Sequence, residues 1–217
     1  MNEIKKFDDF DELENLASEA RRIVGVLKML KFRKGDYFCD NQEVERGTQM
    51  IAHVMGWVRQ WVKFVDRRPV DRRTYHVMKG ERAPERDQMP DNDEEARKNW
   101  PIVDGKPQDP WSLQNLLPME NLETGERYIF VTATVGGGKA VGDLIDTYVA
   151  QRKRNRALGL PLIRLQKTMM PTGNYGPTVR PAFEIVSYET SEVEPVREVS
   201  QEALKQVEDD MNDEIPF

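Results

Sequence analysis

The chain has 217 residues, 38% hydrophobic and 32% charged, with a mean hydropathy of −0.71, so it can bury a real core while remaining soluble with long polar excursions. No apolar run approaches the roughly 20 residues of a membrane helix, Met1–Asp8 lacks a signal-peptide core, and Cys39 with His53 and His76 is too small a set for a disulfide or a structural zinc site. A cytoplasmic protein with no membrane, metal or cofactor dependence is expected. The net charge of −6 hides an asymmetry: residues 192–217 carry −7 and residues 1–20 carry −5, which leaves +6 on residues 21–191.

Asp8 to Leu30 has the spacing of a helix. Phe10, Leu13, Leu16, Ala17, Ala20, Ile23, Val24 and Leu27 recur at three- and four-residue steps, with acids early and Arg21, Arg22 and Lys28 late. Gly25 is a breaking point, beyond which Val26 to Phe32 is an element of open type. Lys34-Gly35-Asp36 signals a turn. Thr48 to Val65 then reads as the longest strand of the chain, with Trp57, Arg59, Trp61 and Lys63 alternating on one face. Exposed indoles that stack on bases, interleaved with cations that hold phosphates, make a sequence-tolerant platform for single strands. The other reading buries Trp57 and Trp61 in a core under a helix while Arg59 and Lys63 extend past them to water.

After this strand come Arg67, Arg68, Arg72 and Arg73 around Pro69, followed by Tyr75 on a strand toward Met78; they read as a phosphate clamp. Residues 79–114, with five prolines and a charged run from Asp91 to Lys98, read as a long inserted loop holding one short helical turn. Trp100 and Trp111 within it either anchor the loop or await a ligand.

Glu126 to Val135 is a strand, Gly136-Gly137-Gly138-Lys139 a turn, and Ala140 to Arg156 a helix that ends in the basic run Arg152, Lys153, Arg154. Strand, glycine turn and helix are the context of a phosphate-binding loop, but that pattern needs Gly and Ser or Thr where Ala133 and Ala140 stand. Lys139 therefore reads as a phosphate contact at most. Leu160 to Met169 and Val179 to Tyr188 are the last two strands, joined by a turn-rich loop with Tyr175 at its tip.

Three strands, a helix and two strands make a mainly β (α+β) chain with the order of an OB-fold, a partly open five-stranded barrel. An extra N-terminal helix, the 79–114 insertion and a disordered acidic tail over 192–217 are added to one nucleic-acid-binding domain over 1–191.

The chain ends Asp209-Asp210-Met211-Asn212-Asp213-Glu214-Ile215-Pro216-Phe217. Those nine residues resemble the acidic tip of bacterial single-stranded DNA-binding proteins, matching its Ile-Pro-Phe end as it stands. The resemblance implies that Asp213, Glu214, Ile215, Pro216 and Phe217 dock on replication and repair enzymes. The function expected is that of a non-enzymatic, sequence-independent single-stranded DNA-binding protein of phage type in replication, recombination and repair. The alternative is a nuclease or annealing factor with the same recruiting tail. Oligomeric state is left open.

Overall fold

In the computed structural model, residues 27–103, 105–172 and 176–189 are described. They begin with a meander of β1 (Lys28–Arg33), β2 (Asp36–Cys39) and β3 (Gln42–Val44). The expected helix fails from Lys28 onward, and residues 8–26 lie outside the described residues. Lys34 and Gly35 hold φ of 54° and 93°, the paired left-handed conformation of a two-residue hairpin turn, and this turn commits the residues before it to a strand.

The long strand expected over Thr48–Val65 is two: β4 (Gln49–Ala52) and β5 (Val58–Val65), with a 3-10 turn at Val54–Gly56 between them. Both pair antiparallel with one edge of β9 (Trp111–Asn121), where Ala52 faces Met119 and Val58 faces Leu116. Between those pairs stands Pro118, which has no N–H for a ladder; its carbonyl accepts from the His53 N–H (3.0 Å) and its ring lies against Gly56.

β6 (Arg68–His76) returns along β5, with Asp66 and Arg67 turning the chain at φ of 50° and 63°. The basic segment expected as a Pro-containing turn is therefore mostly strand. The insertion follows with α1 (Glu94–Lys98) and the short pair β7 (Ile102–Val103) and β8 (Lys106–Pro107); its last residues, from Trp111, belong to β9.

β10 (Arg127–Thr132), α2 (Val135–Arg154), β11 (Pro161–Met170) and β12 (Thr178–Tyr188) complete the order much as the sequence predicts. Gly136–Gly138 are not a turn, however, but the first turn of α2. Thr134 caps it, its hydroxyl accepting from the Gly137 N–H (3.0 Å). The glycines allow close approach: a Cβ on Gly137 would stand 1.9 Å from the Thr132 hydroxyl oxygen, and one on Gly136 would stand 2.8 Å from Arg180 Cβ.

The ten-stranded sheet runs β12-β11-β4-β9-β10-β1-β2-β3, with β5 and β6 as a ribbon continuing beside β9; it curls into an open half-barrel. Across the open side, the Tyr37 hydroxyl of β2 reaches the carbonyls of Gln166 (2.8 Å) and Ala182 (3.1 Å), and Lys167 pairs with Asp36 (2.7 Å). The concave face holds the main core, in which Leu30, Tyr37, Met50, Leu117, Phe130 and Ile163 meet Val141, Leu144, Ile145 and Tyr148 of α2.

Candidate nucleic-acid interface

The strand pairings lay out three rows on the concave side of the ribbon: Tyr75–Arg59–Asn115, Arg73–Trp61–Leu113 and Asp71–Lys63–Trp111. The expectation of an aromatic and basic face on β5 holds for Arg59, Trp61 and Lys63, while Trp57 stands one residue before the strand. The expectation is wrong in its exposure at Trp61, which is 6% exposed and packs with Met89 and Trp111 beneath the insertion. Its indole N–H donates to the Pro84 carbonyl (2.9 Å), so this ring cannot stack on a base without lifting the insertion.

All four tryptophan N–H groups end on protein acceptors. Trp57, half-buried against the main core, donates to Asn115 Oδ1 (3.3 Å). Trp100 donates to the Asp91 carbonyl (2.9 Å) and Trp111 to Asp91 Oδ2 (2.9 Å). Lys63 pairs with the same Asp91 carboxylate at 2.7 Å, and the Arg86 guanidinium donates to the Asp91 carbonyl (3.1 Å) while gripping Asp109 at 2.5 and 2.8 Å. Hydrogen bonding from Lys63, then from Trp111, holds the Asp91 carboxyl below the usual carboxylate range. Trp100 and Trp111 are thus loop anchors, and Asp91, at φ 60°, is the hub that fastens insertion to ribbon. Nothing in the local sequence distinguishes Asp91 from the acids around it.

The cations then divide. Arg73 lies 5.1 Å and Lys63 6.0 Å from the Trp111 ring centre, edging the small core; Arg73 keeps 43% of its side chain in water. Arg59 is half-buried in the row with Asn115, and Tyr75 is half-buried against Trp61. Arg67 and Arg68 are exposed at the hairpin end. Arg72 is adjacent to Arg73 on a strand and so points to the opposite face, which dissolves the single four-arginine clamp the sequence suggests.

Lys139 is exposed in α2 just beyond Gly138, whose backbone lies near the Asn115 amide. Arg152, Lys153 and Arg154 stand toward the other end of that helix, roughly 20 Å away at 1.5 Å per residue. Arg152 donates to the Tyr148 hydroxyl (2.8 Å), and the basic trio suits the helix dipole. The structure therefore gathers Trp57, Arg59, Lys63, Arg73 and Tyr75 along one ribbon, with Lys139 nearby, and leaves the 152–154 run separate. Tyr175 and Asp213–Phe217 lie outside the described residues.

No family model, curated protein or solved structure matches the chain. Its chemistry is read from its own residues. Among the described residues no group of three or more His, Cys, Asp or Glu is placed to hold a metal ion, and no helix is long and apolar enough to cross a membrane. His53 is 8% exposed; burial, and secondarily the Arg127 charge, lowers its pKa to about 4. Glu120 stands 3.9 Å from its imidazole but is paired to Arg127 at 3.5 Å, which spends the acid's field elsewhere. A buried neutral imidazole there is structural.

Proposed function

We propose that the protein binds single-stranded DNA without reading its sequence and recruits replication and repair enzymes through Asp213–Phe217, acting in the cytoplasm as a phage-type replication and recombination factor rather than as an enzyme. The observation that supports it most is the order of pairing. If β4 and β5 count as one bent strand, it pairs with β9 and β11, β9 pairs with β10, β11 pairs with β12, and α2 stands between the third and fourth strands. That order supports an OB-fold reading, with β1–β3 added beside β10. OB-folds hold oligonucleotides with the connections between strands one and two and between strands four and five. Here the first connection carries Arg67, Arg68, Arg72 and Arg73, and the second spans 171–177 with Tyr175.

Binding would then be led by phosphate contacts from Arg59, Arg68 and Arg73 and from Lys139, with stacking left to Trp57, Tyr75 and Tyr175. The charge of residues 192–217 fits this reading, being opposite in sign to that of residues 21–191. The test is fluorescence anisotropy of labelled oligo-dT and of matched duplex across a salt series. Tighter binding of oligo-dT is expected, weakening as salt rises, with Arg59→Gln and Arg68→Gln each flattening the log–log slope by about 0.7. Equal affinity for duplex, a salt-independent affinity, or magnesium-dependent cleavage of either DNA would overturn the reading.

A further inference from the structure

The convex face of the sheet carries a second apolar row. Alternation points Met29 of β1, Ile129 and Val131 of β10, Leu116 of β9 and Val58 of β5 away from the main core, and they form a cluster of their own. Ile129 is fully buried and Leu116 is 2% exposed. The large buried side chains of α2 all belong to the concave cluster, so α2 does not cover this one. The partly buried apolar residue packed on it is Leu27, the first residue described.

The row continues toward β6 through Val62, Gln60 and Gln114, all buried. Gln60 donates its amide to Thr74 (2.9 Å), whereas Gln114 Oε1, on a residue 8% exposed, has no partner among the described residues. This row is out of water although α2 lies on the other face, so another part of the chain covers it, and the Gln114 acceptor calls for a donor from that cover.

We propose that residues 8–26 of this chain dock across that face as an amphipathic helix. The chain reaches the row at Leu27, and the segment before it repeats Phe10, Leu13, Leu16, Ala20, Ile23 and Leu27 at helical spacing. Crossing from β1 over β10, β9 and β5 to β6 takes four strand spacings, about 19 Å. A helix from Phe10 to Val24, before the break at Gly25, is about 22 Å long, which is enough. Its acidic beginning then arrives over β6, where Arg72 points to the same side as Val62.

The consequence for binding rests on the DNA-binding reading: the face between strands two and three, which OB-folds offer to a ligand, is already occupied here, and nucleic acid is left with the ribbon and the loops.

Hydrogen exchange of the full-length protein, without DNA, tests the docking. Amides of residues 13–26 are expected to exchange about 100-fold or more slower than in a free chain, since an isolated helix of that length is marginal in water. Leu16→Lys, and separately Val131→Lys on the acceptor face, should abolish that protection while α2 amides stay protected. Free-chain exchange at 13–26 in the unaltered protein, or protection that survives both substitutions, overturns the proposal. The DNA-binding reading stands or falls separately on the oligo-dT titration.

Discussion

Gly137→Ala tests whether the glycine run exists for packing. The added Cβ would stand 1.9 Å from the Thr132 hydroxyl oxygen and 2.6 and 2.7 Å from its Cβ and Cγ2, inside any attainable contact distance. Thr132 is 8% exposed and β-branched, so it has little freedom to rotate away, and Gly137 is fixed by its own N–H bond to the Thr134 cap. Overpacking of this kind costs about 3 kcal/mol, offset by about 1 kcal/mol of gained helix propensity. A net loss of about 2 kcal/mol lowers Tm by about 4–8 °C in a chain of this size. Gly142, in the same helix with nothing within 4 Å of its Cβ position, is the control. There Ala keeps only the propensity gain, and Tm should rise by about 2 °C. Thermal melts followed by far-UV circular dichroism decide between them. A Gly137→Ala protein that melts at or above the parent temperature refutes the packing account and reopens a backbone role for the run.

Three further outcomes are expected. Asp91→Ala removes the acceptor of the Trp111 indole and the partner of Lys63, costing about 1–3 kcal/mol, and limited proteolysis should then cut between residues 83 and 109 first. His53, with its folded pKa lowered to about 4, favours the folded state fully above the unfolded value near 6.5; that stability drains away as pH falls from about 6.5 to 4, by about 3 kcal/mol at most. Urea midpoints across this range should therefore fall more steeply for the parent than for His53→Gln. Deleting residues 192–217, which carry −7, should tighten oligo-dT binding at low salt and leave it nearly unchanged at high salt; equal affinities at low salt would show that the tail does not compete with DNA.

The elements most legible in the sequence were those obeying a single period. β10, α2, β11 and β12 were, because helical spacing and strand runs stand between clear turn residues there. β4 and β5 were not, for two reasons. The ladder interruption is imposed by Pro118, more than fifty residues away, and Met50, Ile51 and Ala52 are all buried, as are Gln60, Trp61 and Val62. Where both faces of a strand are covered, alternation carries no information about which face meets water. The aromatic and basic pattern of Trp57–Lys63 misled through the same blindness. A tryptophan under a lid edged by cations and a tryptophan awaiting a base have one sequence signature, and only the ordered insertion, with its indole anchors and Asp91 hub, separates them. The β1–β3 meander was obscured by the helical spacing that runs into Leu27.

Where β2 meets β11 and β12, a phenol and one ion pair stand in for a ladder of backbone bonds. Such a seam can part without any strand leaving its neighbour, and what else holds it is side-chain packing such as that of Tyr37 on Phe183. Separation along it would widen the half-barrel as a book opens at its spine, with α2 carried on one cover and the N-terminal meander on the other.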